Sequence, residues 1–396
     1  MCHLVARSIS ITFTIEERIM TEQEFLESYK DCEFVSFEKL EKFMKESLIG
    51  AGVPEGDAEI ISDVLIESDK RGIDSHGIGR LKPIYIDRID LGIMNPKTEI
   101  EIIKDEKATA VLDGHNGMGH VISKKAMEMA IEKAKEYGVG MTVVRNSNHY
   151  GIAGYYVTMA TKEGMIGVTG TNARPSIAPT FGVENMLGTN PLTFGIPTND
   201  PYPFVLDCAT SVSQRGKIEV YGRAGKELPP GWVIDENGNT RTDTEQVLID
   251  LTKGKAALTP LGGLGEMTAG YKGFGYATVV EILSAALQDG AFMKALNGKD
   301  ENGKAIPYPL GHFFIAINPE FFMGKDLFKA ISTTILKELR ESKKAPGQDR
   351  IYTAGEKEYE AYNYRMKYGC PVPKSLQNVI DELSDRYSLT DSWPWR

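Results

Sequence analysis

The stretch DSHGIGR, residues 74–80, places a hydroxyl, an imidazole and a guanidinium on one glycine-rich turn. Ser75 and His76 stand where a charged helix ends at Gly72 and another helix is predicted to begin. Backbone N–H groups at such a helix entrance favour anions. Arg80 follows about one helical turn later, near enough to serve the same pocket. The stretch is suited to holding an anionic ligand beside a proton carrier. The alternative is a capping serine, a surface histidine and a solvated arginine.

A second histidine, His149, lies in the stretch RNSNHYGIAGYY, after the predicted strand VGMTVVRNS and before a predicted helix. The carboxyl end of a strand followed by a helix is where α/β proteins usually carry reacting groups. Because an imidazole can move a proton near neutral pH, His149 is a candidate catalytic acid/base. A structural histidine bonded to a neighbouring turn is the alternative.

Other chemistries have weaker support in the sequence. His115 and His120 lie near Asp113 in DGHNGMGH, but this spacing in a glycine-rich loop has no preferred metal geometry, and we predict no metal site. Consecutive side chains in DSH diverge and no GxSxG motif is present, which argues against a serine hydrolase. The segment LGGLGEMTAGYKGFG surrounds Lys272 with glycines but does not match GxGxxG and follows no clear strand. The sequence therefore contains no Rossmann fingerprint.

Composition narrows the possible partners. The 396 residues include 45 Lys and Arg against 55 Asp and Glu, a net charge of −10. This acidic balance, without a basic stripe, argues against a nucleic-acid partner, and no apolar run has the length of a membrane span. Residues 1–19 make a poor signal peptide and are interpreted as an upstream extension. The cysteines form no CxxC pair, which indicates a reduced, cytoplasmic protein; they are Cys2, Cys32, Cys208 and Cys370.

Hydrophobic patterning predicts a mixed α/β fold. Two amphipathic helices fill residues 36–72, with Ser36 as the N-cap of the first. A hairpin at 99–116 begins a region of alternating strands and helices, and the chain becomes helical again after Ser332. We therefore expect a central mixed sheet and a helical domain formed by both chain ends. The predicted boundaries are 1–35 for an N-terminal extension, 36–104 for the first helical part, 105–331 for the central cofactor-binding domain and 332–396 for a second helical part packed on the first.

Six separated blocks carry a resemblance to a known family. They are DSHGIGR, RNSNHYGIAGYY, GTNARPSIAP, GTNPLTFGIPT, DCATS and GYKGFG, and the resemblance runs from about Ser36 to Gly369. Together these blocks resemble the malate/L-lactate dehydrogenase family, which also includes L-sulfolactate and ureidoglycolate dehydrogenases and cyclic-imine and diketogulonate reductases. The resemblance implies a nicotinamide-dependent oxidoreductase with a non-Rossmann cofactor fold and a homodimeric assembly.

The resemblance also implies roles for individual residues. His149 would be the catalytic acid/base, with His76 as a second candidate, while Ser75 and Arg80 would bind the substrate, Arg80 at its carboxylate. Two positions depart from the family pattern: Ala173 stands where some members have serine, and Ala354 where many have proline. Neither departure removes a reacting group. The cofactor contacts would come from Asn172, Ala173, Asp207, Cys208, Ala209, Lys272, Ala354, Gly355 and Glu356.

The implied chemistry matches these residue types. Reduction of a 2-oxo acid needs a proton donor at the ketone oxygen and a cation at the carboxylate, whose geometry fits the planar fork of an arginine. The nicotinamide carries the hydride. The predicted function is hydride transfer between NAD, with NADP as the alternative, and a small 2-hydroxy or 2-oxo acid such as malate or lactate. Two alternatives stay open: reduction of a cyclic imino acid through the same Arg80, and a non-catalytic binder of nucleotides or small acids.

Overall fold

A computed structural model describes residues 22–223 and 225–395. The predicted upstream extension, residues 1–19, lies outside this part of the chain. Within it, no helix combines the length and the apolar character needed to cross a lipid bilayer.

The N-terminal part of the chain is mainly helical. Ser36 caps its second helix as predicted, because its hydroxyl accepts a hydrogen bond from the N–H of Lys39 at 3.4 Å. The helix predicted over GRLKPIYIDRIDLG is instead a 3-10 turn at Ile78–Arg80, a π-helical turn at Leu81–Ile86 and one α turn. Pro83 lacks a backbone N–H, which disfavours a continuous α-helix. The elements are α1 (Glu22–Ser28), β1 (Cys32–Val35), α2 (Phe37–Gly50), α3 (Glu55–Lys70) and α4 (Asp87–Asp90).

Strands and helices alternate in the central part of the chain, as the sequence predicts. The first elements there are β2 (Glu101–Asp105), β3 (Thr109–Asp113), α5 (Gly119–Tyr137), β4 (Val139–Ser147), α6 (Ala153–Lys162), β5 (Ile166–Thr171), β6 (Leu192–Ile196) and β7 (Phe204–Cys208). They are followed by α7 (Arg215–Arg223), β8 (Val233–Asp235), α8 (Thr244–Lys253), β9 (Ala256–Leu258), α9 (Gly270–Leu283) and β10 (Leu310–Ile317). The C-terminal elements are α10 (Lys325–Glu341), α11 (Glu356–Tyr368), β11 (Cys370–Pro373) and α12 (Lys374–Tyr387).

Seven strands form a mixed sheet in the order β2-β3-β4-β10-β5-β6-β7. The pair β3–β4 is parallel and the other neighbouring pairs are antiparallel. Alternate residues of a strand point to opposite faces, so Val144 and Phe314 pack among α5 and α6 while Val143 and Phe313 pack beneath Val280 of α9. Both faces of the sheet are therefore covered, and strand ends such as that of β4 are held rigidly.

Both chain ends build one helical unit. Strand β1 pairs with β11 in antiparallel register, with Val35 opposite Cys370. The buried side chains of this unit come from α2, α3, the π-helical turn and α12; they include Leu40, Phe43, Ile61, Leu65, Tyr85, Ile380 and Leu383. The predicted fold class, a central mixed sheet with a helical domain formed by both ends, is confirmed.

The polar segment 222–243, whose Pro-Gly and Asn-Gly turns are typical of a surface excursion, contributes Leu228 and Val233 to a small core between α7, α8 and the β8–β9 hairpin. The domain boundaries stay a prediction. The boundaries at 104/105 and 331/332 fall inside β2 and α10, and β1, placed in the extension, is a paired strand of the helical unit.

Candidate active site

A buried carboxylate holds the glycine-rich turn that follows α3. Asp69, which is 1% exposed, accepts a hydrogen bond from the backbone N–H of Ile78 at 2.8 Å. A Cβ atom on Gly77 would lie 1.8 Å from Oδ1 of Asp69, so only glycine lets the carboxylate reach across the turn. Burial raises the pKa of Asp69 to about 8. The sequence DSHGIGR thus folds into a tight loop with Ser75 and His76 at its middle.

Two imidazole rings face each other at the centre of the site. The rings of His76 and His149 are nearly parallel, with centroids 5.8 Å apart and an interplanar angle of 17°. The hydroxyl of Tyr85 lies 2.7 Å from Nδ1 of His149, and the N–H of Gly151 lies at a longer 3.4 Å from the same nitrogen. Because Tyr85 is completely buried, its contact fixes the orientation of the His149 ring and leaves Nε2 on the opposite side.

Both imidazoles are neutral near pH 7. Burial, aided by the positive charge of Arg80, lowers the pKa of His76 to about 4. Burial is also the main reason that the pKa of His149 lies well below 6.5, with further lowering by His76, Arg88 and Arg80. The Ser75 hydroxyl lies 2.8 Å from Nδ1 of His76. A neutral imidazole can take a proton from a ligand hydroxyl, so the pair is suited to proton transfer.

A pocket of about 760 Å³ opens beside the two histidines. Its size is that of a small-molecule or cofactor site. One wall is formed by α11 and the preceding residues, between Tyr352 and Tyr362, and the facing wall includes Gly151 and Gly154 at the start of α6. The pocket gathers nine of the predicted site residues: Ser75, His76, His149, Asn172, Ala173, Asp207, Ala209, Ala354 and Gly355.

Asp207 connects the edge strand β7 to the start of α6. Its Oδ2 accepts the N–H of Gly154 at 2.7 Å, and its Oδ1 accepts the hydroxyl of Thr193 at 2.9 Å. Burial raises the pKa of this carboxyl. The side chain nevertheless retains access to solvent, because it stands on the wall of the pocket. The carboxylate therefore fixes the pocket wall and remains accessible to a ligand.

Two predicted residues lie beside the pocket without lining it. Arg80 turns back on its own loop, where its Nε donates a hydrogen bond to the carbonyl oxygen of Ser75. Cys208 follows Asp207 on β7, and its Sγ lies 4.0 Å from the carbonyl oxygen of Leu192. Their roles in substrate and cofactor binding stay predictions.

Two further residues predicted to bind the cofactor, Lys272 and Glu356, do not line the pocket. Lys272 is exposed on α9, with its Nζ 5.9 Å from the ring centroid of Tyr271. Glu356 is 1% exposed, and its carboxylate accepts hydrogen bonds from the N–H and hydroxyl of Thr353 at 2.8 and 3.2 Å and pairs with Arg350. Glu356 thus shapes the loop that carries Ala354 into the pocket. A direct contact of Lys272 or Glu356 with a cofactor stays a prediction.

The two histidines considered as metal ligands, His115 and His120, have different partners. His115 bonds Glu101, with Nε2 3.0 Å from its carboxylate, whereas His120 is fully buried with its ring against Tyr85. In the described part of the chain, no group of three or more His, Cys, Asp and Glu side chains could hold a metal ion.

Several contributors to the site have no local signal in the sequence. Tyr85 contacts His149 across 64 residues of chain, and Arg365 reaches Asp74 across 291. Arg71 lines the pocket and donates to the hydroxyl of Thr158 at 3.2 Å. Each of these residues stands in an ordinary amphipathic segment, and only the packing of distant elements shows its role.

Taken together, the mixed sheet and the paired histidines beside the pocket define an α/β protein with a site suited to binding a small molecule and exchanging a proton with it. Comparisons with known proteins specify the family. The family model described as malate/L-lactate dehydrogenase matches residues 35–381. The chain is 42% identical over 367 residues to a malate dehydrogenase of Pyrococcus horikoshii, covering 92% of this chain and 99% of that one. It is 41% identical over 354 residues to an L-sulfolactate dehydrogenase of Methanocaldococcus jannaschii, covering 89% and 96%.

A solved structure of a relative has a similar fold. The crystal structure of malate dehydrogenase from Entamoeba histolytica superposes with a TM-score of 0.87 at 46% identity, covering 90% of this chain and 98% of that one. The chain belongs to the malate/L-lactate dehydrogenase family. The resemblance of the six blocks is thereby confirmed. The protein is an oxidoreductase of the 2-hydroxy acid type that uses a nicotinamide cofactor.

Proposed function

We propose that the protein interconverts a 2-hydroxy acid of the malate type and its 2-oxo acid, with NAD as cofactor and His149 as the acid/base. The observation that carries this proposal is the neutral His149 ring, held by buried Tyr85 at the wall of the pocket. Support for the malate-type substrate comes from the two relatives described above that are named malate dehydrogenase.

The proposed mechanism assigns one proton to one ring nitrogen. In the oxidation direction, Nε2 of His149 takes the proton of the substrate hydroxyl, and in the reduction direction it returns that proton to the oxygen. The hydroxyl of Tyr85 accepts a hydrogen bond from the Nδ1–H of His149 in both states and so stabilises the imidazolium. His76, with Ser75 at its Nδ1, lies against the other side of the ring and limits the access of water. Arg80 orients the substrate carboxylate.

The residues that line the pocket fit a nicotinamide cofactor. Thr189, Asn172, Ala354 and Gly355 line the cavity, and the tyrosines in its walls suit flat rings. We propose that Asn172, Ala173, Asp207, Ala209, Ala354 and Gly355 hold the cofactor. When bound, the nicotinamide supplies the hydride or accepts it.

A spectrophotometric assay tests the proposal. Purified protein is mixed with NADH and one substrate at a time: oxaloacetate, pyruvate or a cyclic imino acid. The absorbance of the reduced nicotinamide is then followed. Loss of absorbance with oxaloacetate at a kcat/KM at least about tenfold above that with the imine supports the proposal. Preference for the imine would establish the cyclic-imine alternative. No turnover with any of a broad panel of 2-oxo acids and imines would establish a binder.

The choice of cofactor and the compartment belong to the proposal as well. NAD is proposed over NADP, and competition between NADH and NADPH at subsaturating substrate decides between them; a strong preference for NADPH would overturn the choice. A cytoplasmic location is proposed because the cysteines in the described part of the chain, Cys32, Cys208 and Cys370, form no disulfide.

We also propose a homodimer, and two exposed apolar stripes support it. On α10, a row at intervals of four residues is 45–55% exposed: Leu327, Ile331, Ile335 and Leu339. On α9, Tyr276, Val279 and Ile282 are exposed to a similar degree. Contiguous apolar surface of this kind is typical of protein interfaces. Light scattering coupled to size exclusion should give twice the mass of one chain, and a single-chain mass at micromolar concentration would contradict the proposal.

A further inference from the structure

The loop from Asp74 to Ile78 is fixed at both of its ends. At its far end, the carboxylate of Asp69 accepts the N–H of Ile78 at 2.8 Å. At its near end, Arg365 of α11 binds the carboxylate of Asp74 in a bidentate manner, with Nη1–Oδ1 and Nη2–Oδ2 distances of 2.5 and 2.9 Å. Ser75 and His76 lie between these two anchors. Their positions in the pocket therefore depend on both contacts.

Arg365, which holds the near end of the loop, is unusual because an arginine side chain is rarely fully buried. Its side chain is fully buried, and a buried guanidinium requires hydrogen-bond partners for its N–H groups. Nη1 also donates to the carbonyl oxygen of Asp69 at 2.7 Å, and Nη2 donates to the hydroxyl of Tyr29 at 2.9 Å. Burial alone would lower the pKa of Arg365, but Asp74 and Tyr29 raise it above its ordinary value. The guanidinium is thus charged and fixed by several partners.

Helix α11, which carries Arg365, is also a wall of the pocket. Its thirteen residues span about 20 Å. Its N-terminal end is tied to the edge of the sheet, since Ala354 accepts the N–H of Val205 at 3.3 Å and Tyr359 stacks on Tyr202 with centroids 4.7 Å apart. One rigid element therefore touches the cofactor side of the pocket at one end and the histidine loop at the other.

We infer that Arg365 is a positioning residue for substrate binding: through Asp74 it sets the place of Ser75 and His76 relative to the pocket. This role rests on the proposed function, because it assumes that the loop binds the 2-oxo acid. Arg365 itself touches neither ligand. Its effect reaches the substrate through the Asp74 carboxylate and the backbone that follows it.

The test compares two variants that each remove one partner of the same guanidinium. Asp74→Asn removes the charged anchor of the loop, whereas Tyr29→Phe removes a hydrogen bond to Nη2 without touching the loop. Wild-type turnover of oxaloacetate is established first, and its absence would count against the proposed function itself. Steady-state kinetics, NADH affinity by fluorescence and thermal midpoints are then measured for both variants.

The inference predicts a split between the variants. Asp74→Asn raises the KM for the 2-oxo acid about tenfold or more, because a charge-assisted anchor is lost, while the dissociation constant of NADH stays within about twofold. Tyr29→Phe keeps the wild-type KM. A merely structural role would lower the apparent kcat per total protein in both variants, through loss of folded enzyme, at unchanged KM. That result, or an unchanged KM in Asp74→Asn, would overturn the inference.

A second variant protects the test against a folding defect. Arg365→Lys keeps a buried positive charge but cannot bind Asp74 with two parallel N–H groups. We expect its KM to lie between those of the wild type and Asp74→Asn, with NADH affinity unchanged. An NADH affinity that falls in proportion to the substrate affinity would show general damage to the pocket and would contradict a positioning role.

Discussion

The hydroxyl of Tyr85 lies 2.7 Å from Nδ1 of His149, on the side of the imidazole that faces the protein interior. Burial raises the pKa of this tyrosine, so the hydroxyl keeps its proton across the physiological range. A tyrosine hydroxyl can both donate and accept a hydrogen bond. It can therefore accept from Nδ1–H whenever Nε2 acts as a base, and it continues to do so when the ring becomes an imidazolium.

Replacing Tyr85 by Phe should slow catalysis without weakening cofactor binding. The lost hydrogen bond to the imidazolium is worth about 1.5–3 kcal/mol, which predicts a fall in kcat of roughly 10- to 150-fold. Tyr156→Phe is the matched control, since this buried tyrosine donates its hydroxyl to the carbonyl oxygen of Tyr150 and does not contact His149. Both variants should lose thermal stability, but kcat should fall substantially in Tyr85→Phe alone. Equal kcat values in the two variants would show that the hydroxyl has no catalytic effect.

The two histidines should differ in what they contribute. His149→Ala should lower kcat by roughly 100- to 10,000-fold, the usual effect of losing a general acid/base, with little change in NADH affinity. His76→Ala should act mainly on KM, because His76 lines the pocket beside His149, at a ring centroid distance of 5.8 Å, and does not carry the transferred proton in the proposed mechanism. Single-turnover rates of both variants provide the comparison. A nearly silent His149→Ala with a large loss in His76→Ala would reverse the assignment.

Arg80→Lys tests the proposed carboxylate contact. Nε of Arg80 donates to the carbonyl oxygen of Ser75, so a substrate carboxylate would have to bind the terminal nitrogens. A lysine offers a point charge in place of a planar fork, so the KM for the 2-oxo acid should rise about tenfold or more. NADH binding, measured by fluorescence, should hardly change. If KM and kcat both keep their wild-type values, Arg80 is a surface residue.

The pH dependence should follow from the lowered pKa values of both histidines. Burial lowers the pKa of His76 to about 4 and that of His149 well below 6.5. Oxidation needs a neutral base, so its kcat/KM should be flat from about pH 6.5 upward and fall only in more acidic solution. Reduction needs the protonated form of His149, so the kcat/KM for reduction should decrease as the pH rises from about 6.5 upward. An oxidation profile whose inflection lies at or above pH 6.5 would contradict these shifts.

Local patterns account for the parts of the site that lie within one segment. The glycine-rich turn around His76 and the strand-to-helix junction at His149 are visible in the sequence, because chain-breaking residues and hydrophobic periodicity are local signals. The partners of these histidines are not visible. Tyr85 looks like a core residue of a helix, and Arg365 like a charged residue on the solvent face of another. Only the packing of α3, α11 and the sheet shows their contacts.

The order of the strands was likewise beyond the reach of sequence patterns. Each strand of the central region can be recognised from its apolar residues, but an apolar strand carries no information about which neighbour it pairs with. The resemblance to a family supplied the cofactor candidates. It could not show that Lys272 is exposed on α9 or that Glu356 bonds Thr353, since those depend on this chain's own packing.

Strand β10 has a consequence for how the protein is made. It lies between β4 and β5 in the sheet, yet about 140 residues separate it from β5 along the chain. At typical synthesis rates of about 5–20 residues per second, a ribosome needs roughly seven to thirty seconds to reach it. During this interval β4 and β5 lack the strand that pairs with both of them, and unpaired strand edges promote aggregation. The yield of active enzyme should therefore depend on translation speed and chaperone supply, even though the finished sheet leaves neither strand exposed at an edge.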